Sequence, residues 1–399
     1  MHTIQLKPHE DRRLRAGHLW IFSNEIEGTD AGLADGGVGG VFDSRGAFLG
    51  QAYLNRKSLI AGRVLTRSRE PVDEAFVHGR IERALELRAR VLPDPAYGRI
   101  VFGEGDRLPG LVVDRYGDVL VAQVGTLGME MLWPWAERAL RRLLQPRALY
   151  LRSDSPTRAQ EGLGDHCVFL EPDPGQASGT ASEPGRVELR ENGATFVTDV
   201  VRGQKTGWFH DQRENRALLQ GRVTGARVLD LFCYAGAWAV LAAMWGAREV
   251  TGLDSSEFAL ELARVNAERN GVGASCSFRK ADVFRELRAL HEAGEKYDVV
   301  VLDPPALIKS RARLAEGVRG YNDLNRAAMR LVAPGGTLIT CSCSHLMPRE
   351  EFLPLLSRAA HEAHAAFRLA ALRGQAADHP VLLAMRETEY LKCAVLEGL

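Results

Sequence analysis

The sequence predicts an open, doubly wound α/β domain over residues 191–399, preceded by a small β-barrel module at 1–70 and an α+β module at 71–190. Three observations predict this. Arg227–Asp254 reads as strand, tight turn, helix and strand, with the apolar run Val228, Leu229, Leu231 and Phe232 suited to a parallel strand buried on both faces. The alternation then continues to the C-terminus. Residues 1–70, by contrast, carry short apolar runs punctuated by glycine: HLWIFS, GGVGGVFDS, AFLGQAYL and LIAGRVLT.

Length agrees with several modules, since 399 residues exceed one typical domain. The chain has 51 basic and 51 acidic residues, so any affinity for a polyanion must come from local patches. No apolar run approaches the ~20 residues of a membrane span, and the N-terminus lacks the apolar core of a secretory signal. The six cysteines form no disulfide framework and no zinc-ligand spacing. A soluble protein of the reducing cytoplasm, without a metal, is expected.

In the first module, Asp43-Ser-Arg-Gly46 marks a hairpin turn. Arg12, Arg13, Arg15, His18 and Trp20, with Arg56, Lys57 and Arg63, form a candidate phosphate-contacting face; Glu10, Asp11, Glu25 and Glu27 make a solvated surface an equal reading. The run GHLWIFSNEI at 17–26 resembles the start of a PUA module, a compact β-barrel found on RNA-modifying enzymes. In the second module, Val72–Val91 has helical apolar spacing and stops at Leu92-Pro-Asp-Pro95. A strand pair follows, turning at Tyr116-Gly-Asp118. Next come a helix over Met129–Leu144 and a strand at Ala148–Arg152. Residues 171–185, rich in Pro, Gly, Ser and Ala, read as a linker.

Asn192-Gly193 between alternating runs marks a hairpin. Asp211 is a plausible N-cap with Glu214 as its box partner. Lys205, in a glycine-bracketed loop, is a candidate contact to a ligand or phosphate. Beyond Asp254 the order is helix Ser256–Asn270, strand Cys276–Arg279, helix Val283–Ala293, strand Tyr297–Asp303, helix Leu324–Val332 and strand Gly335–Thr340. Strand tips of an open α/β sheet define its ligand crevice, so Asp230, Asp254, Asp282, Asp303 and Cys343 are expected to face one cleft.

Asp254, ending the second strand, is placed to accept hydrogen bonds from a ribose diol. Gly236 is the one glycine in the preceding turn, and small neighbours leave the backbone open to a ligand. A pyrophosphate wants more such approaches, so S-adenosylmethionine (SAM), which has no phosphate, fits better. Asp282 is placed to accept from an adenine amine. Asp303-Pro304-Pro305 at a strand tip recurs in enzymes that methylate nucleobases, with ring nitrogens, exocyclic amines and carbon all open as targets.

The cysteines favour carbon. Carbon 5 of a pyrimidine is a poor nucleophile until a thiolate adds to carbon 6. Asp303 is the candidate to hold N3 as the ring takes up charge. Cys343 is preferred as the nucleophile and Cys341 kept as second candidate; a buried structural cysteine is the rival reading of each.

Together KTGWFHDQRENR at 205–216, VLDLFCYAGAW at 228–238, DPPALIKSR at 303–311 and CSCS at 341–344 resemble the RlmI-like family of large-subunit ribosomal RNA cytosine-5 methyltransferases, along nearly the whole chain. The resemblance implies a Rossmann-like SAM methyltransferase domain, 5-methylcytidine in 23S ribosomal RNA as product, and SAM contacts near Tyr234, Gly236, Asp254, Asp282 and Asp303. Lys309 in the third motif joins Lys205, Arg12 and Arg13 as a candidate RNA contact. Many such enzymes carry a second cysteine where this chain has Pro305, so product release must rely on Asp303 or another group. A guanine N-methyltransferase, a 5-methyluridine enzyme and a non-catalytic RNA-binding factor are the alternatives. A homodimer stays open.

Overall fold

The computed structural model describes residues 1–170 and 185–399; the expected linker, Gly185 excepted, lies outside the described residues. The chain divides into two units. One comprises Met1–Val187, Asp199–Trp208 and Ala377–Thr388; the other comprises Glu188–Thr198, Phe209–Ala376 and Glu389–Leu399. Among the described residues, no helix is long and apolar enough to cross a membrane.

The first unit holds two sheets. The glycine-punctuated runs form six strands in the order Trp20–Ile21, Gly62–Thr66, Phe48–Leu54, Val38–Phe42, Thr3–Leu6, Ile26–Thr29. Alternate residues such as Ile4, Leu6, Val41 and Leu54 point into one core, which Met385 completes from far along the chain. A five-stranded sheet spans Tyr97–Leu170, and helices Glu74–Val91 and Leu127–Leu144 contribute Ile81 and Leu140 to its core. Both helices start on the side chain of a capping residue, Asp73 and Thr126.

The second unit is organised by a seven-stranded sheet. Its order is Cys276–Lys280, Glu249–Asp254, Arg227–Leu231, Tyr297–Leu302, Val332–Ser342, Lys392–Gly398, Phe367–Arg373. The first five strands are parallel and the last two antiparallel. From Arg227–Leu231 the chain winds first to one side and then, through Tyr297–Leu302, to the other. That reversal opens a crevice at the carboxyl ends of the strands. Both faces are apolar: Leu229, Val300 and Leu338 pack on one, Val228, Val299 and Ile339 on the other. The Asn192-Gly193 turn has φ of 51° and 83°, the left-handed pair a two-residue hairpin requires. Ser256 caps its helix, accepting from the Ala259 N–H at 3.3 Å.

Asp211 departs from expectation. It lies inside the short helical turn His210–Gln212 rather than ahead of it, and its carboxylate accepts from the Tyr390 hydroxyl at 2.6 Å. A tertiary partner outcompetes the local cap.

Candidate active site

Five consecutive parallel strands end at one edge of the second unit and deliver Asp282, Asp254, Asp230, Asp303 and Cys343 there in that spatial order. The turn after Arg227–Leu231 is tightly wound, with Phe232, Tyr234 and Gly236 at φ of 64°, 48° and 78°. Asp254 ties it down: one carboxylate oxygen accepts from the Tyr234 N–H and the other from the Ser256 N–H, each at 2.9 Å. Each oxygen keeps a lone pair for a further donor. Gly236 serves packing: a Cβ there would lie 2.9 Å from that of Ala263 on helix Glu257–Arg269.

Asp230 is fully buried beneath the turn. Its Oδ2 accepts from the Ala239 N–H at 3.1 Å, near the start of helix Ala237–Met244, while Oδ1 has no partner among the described residues. Burial first, and the charge of Asp303 second, push its carboxyl up to about 8. Asp282 is exposed and caps helix Val283–Glu292 through the Arg285 N–H at 3.1 Å.

Asp303 is gripped on both oxygens, by the Gln212 amide at 2.9 Å and the Trp238 indole N–H at 3.1 Å. Burial pushes its carboxyl up, against the pull of the Trp238 N–H, the Arg216 charge and the Gln212 amide. Next along the edge, the half-buried Cys343 places its sulfur 3.8 Å from the Pro304 carbonyl oxygen. Ser344 fastens the two segments together: its hydroxyl oxygen accepts from the Ile308 N–H at 3.2 Å and shares a 2.9 Å bond with the Tyr321 hydroxyl.

Cys341 is a correction. It is fully buried in the core, opposite Cys393 on the neighbouring strand, and burial pushes its thiol far up. It is the small buried hydrophobe of the rival reading, not an available nucleophile.

Lys392 carries a signal that sequence reasoning missed. Antiparallel pairing sets it opposite Ser342, with only 3% of its surface exposed. Its ammonium donates to the carbonyls of Ser344 at 2.7 Å and Tyr390 at 2.8 Å. Burial pulls it down to about 8, while the charges of Cys343 and Glu389 pull it back up. Gln212 and Trp238 sat inside quoted motifs, yet nothing local showed that they converge on Asp303. Of the candidate RNA contacts, Lys309 is exposed on the loop after Pro305. Arg12, Arg13 and Lys205 belong to the other unit; Arg12 is exposed and Arg13 pairs with Glu25 at 2.5 Å.

The residues suit SAM. The free lone pairs of Asp254 fit a ribose diol, the unpartnered Asp230 Oδ1 leaves polar capacity behind the turn, and the turn offers no multi-glycine cradle for a pyrophosphate.

Known proteins agree. Residues 4–67 match a PUA-like domain, and residues 139–378 match the S-adenosylmethionine-dependent methyltransferase family. The chain is 38% identical to the ribosomal RNA large subunit methyltransferase I of Aeromonas hydrophila subsp. hydrophila, over 99% of both chains. It is 36% identical to the protein of that name from Klebsiella pneumoniae, over 98% of this chain and 96% of that one. A solved chain described as a SAM-dependent methyltransferase from Streptococcus mutans shares the fold, with a TM-score of 0.82 over the whole of both chains at 20% identity. A methyltransferase solved with SAH superposes at 0.84, again at 20% identity over both chains.

Proposed function

This chain belongs to the S-adenosylmethionine-dependent methyltransferase family, and on that premise we propose that it methylates carbon 5 of a cytidine in 23S ribosomal RNA through a covalent bond to Cys343. The relatives' name supports the RNA class. The observation that carries the carbon-5 reading is the half-buried Cys343 sulfur beside the Pro304 carbonyl, where a flipped-out base would sit between it and Asp303.

Bound SAM supplies an electrophilic methyl group. The chain's own residues do the rest. The Cys343 sulfur uses an electron pair to bond carbon 6; the carbon 5–carbon 6 π pair shifts to carbon 4–carbon 5 and the carbon 4–N3 π pair moves onto N3, leaving carbon 5 enamine-like. Asp303, held by Gln212 and Trp238, faces N3 and shares a proton with it; a carboxyl pushed up by burial suits that task. The Lys392 ammonium favours the charged sulfur by the same attraction that the sulfur exerts on it. Once carbon 5 has gained its methyl group, loss of the carbon 5 proton to a base expels the sulfur and restores the ring. Asp254 and Tyr234 hold the cofactor's ribose side. A ribosomal RNA substrate carries a cytoplasmic location with it as part of this reading.

Bisulfite sequencing of 23S RNA from cells with and without the gene tests the reading. A protected cytidine that appears only with the active chain is expected. A methyl group found on guanine or uracil instead would overturn it.

A further inference from the structure

The arginines of the first unit fall into two populations. Those first expected to meet phosphate are largely engaged by acids. Arg13 pairs with Glu25 at 2.5 Å, Arg15 with Asp11 and Asp43, and Arg56 with Asp35 at 2.8 Å. Arg63 is buried against Glu161 at 2.9 Å and Glu104 at 3.7 Å. Internal pairing leaves such a face little net field for a polyanion.

Arg67, Arg80, Arg83 and Arg107 differ. Among the described residues none of them pairs with a carboxylate within 4.0 Å. Their bonds end on backbone carbonyls: Arg67 on Leu14 at 2.5 Å, Arg80 on Leu65 at 3.1 Å, Arg83 on Gly79 at 3.0 Å. Arg80 and Arg83 stand three residues apart on helix Glu74–Val91, and the Arg80 bond to Leu65 brings that helix face to the end of strand Gly62–Thr66, where Arg67 follows. Arg107 sits in a left-handed turn. Arg67, Arg83 and Arg107 are exposed; Arg80 is half-buried, with its Nε lacking a partner among the described residues. The four sense one another: after burial, Arg83 and Arg107 push Arg80 down to about 10, and Arg107 depresses Arg67. Beside them, Arg69 lies 4.2 Å from the ring centre of Phe48.

We propose that Arg67, Arg80, Arg83 and Arg107 form the face of the first unit that grips the sugar–phosphate backbone of RNA. Arg80 feels the Glu70 carboxylate, yet among the described residues no acid pairs with any of the four; like charges so held repel, and a phosphate threaded among them relieves that repulsion while accepting the guanidinium forks. The choice of RNA as the polyanion rests on the proposed function above. The face gives affinity and register, not base choice.

The test is binding of a labelled 23S RNA fragment to the full chain across a salt series. Arg83→Gln with Arg107→Gln should weaken binding about 10-fold at low salt and lower the slope of log affinity against log salt by about 1 to 2. Arg83→Lys with Arg107→Lys keeps the charge and should keep the slope. Arg138→Gln with Arg147→Gln, which removes two arginines paired with Glu74 and Asp118, should match wild type in slope. Melting curves confirm that each variant is folded. An unchanged slope in the Arg83/Arg107 glutamine variant overturns the proposal, as does an equal loss in the lysine variant. Assay of 5-methylcytidine from the wild-type chain decides the proposed function separately, since it does not depend on these slopes.

Discussion

The sulfur of Cys343 and the carbonyl oxygen of Pro304 lie 3.8 Å apart, so two neighbouring strands end with a thiol and a stiff acidic loop in contact. A nucleophile at that spot must be irreplaceable. Cys343→Ala is expected to lower methyl transfer by at least ~10³-fold while leaving SAM binding intact. Cys341→Ala, in the core, should cost ~1–2 kcal/mol of stability instead of the chemistry. Initial rates and thermal melts on both variants check this. RNA carrying 5-fluorocytidine adds a second readout: it should trap a covalent complex with wild type and none with Cys343→Ala.

Lys392 makes a pH-dependent prediction. Its folded value, about 8, lies below the ordinary 10.5. Between these the unfolded chain binds the proton and the folded chain does not, so this group makes stability rise with pH across that window. Lys392→Met should remove the rise, read as denaturation midpoints from pH 8 to 10.5 against wild type. The same variant should slow turnover by roughly 10-fold or more below pH 8, where the wild-type lysine is charged and favours a charged sulfur, and the deficit should shrink above it.

Asp254 predicts a separation of cofactor from substrate. Its two oxygens anchor Tyr234 and Ser256 and present their remaining lone pairs outward. Asp254→Ala should raise the SAM dissociation constant by about 10- to 100-fold, the worth of one or two charged hydrogen bonds. Calorimetry measures it. RNA affinity should be unchanged, and a parallel loss there would mean that the turn had collapsed.

Local chemistry was legible where one element decides the outcome. Asn192-Gly193 had to turn, Ser256 had to cap, and the alternation after Arg227 had to wind into a parallel sheet with its acids at one edge. What was hidden depends on distant partners. Lys392 looks like any strand lysine until antiparallel pairing sets it opposite Ser342. Gln212 and Trp238 meet on Asp303 only in three dimensions. Asp211 carried a good capping pattern, but the Tyr390 hydroxyl claimed it. The candidate basic face shows the same limit: sequence counts arginines, and only structure shows that Arg13, Arg15 and Arg63 pair with Glu25, Asp43 and Glu161.

Asp230 brings a buried acid and its charged neighbour into one measurable quantity. Its folded value of about 8 stands above the ordinary 3.8, raised by burial and by Asp303. Between the two the folded chain holds a proton that the unfolded chain has released. The stability this group contributes is therefore full below 3.8 and is lost as pH rises through 8. Asn has the same shape and no charge to form, and its amide can replace the protonated carboxyl beside Ala239 only if its oxygen faces that N–H. Asp230→Asn should thus flatten the fall in stability from pH 4 to 8, measured as melting temperature across a buffer series. A variant whose pH profile overlays that of wild type would show that Asp230 is charged in the fold, and that another group carries the positive counterpart.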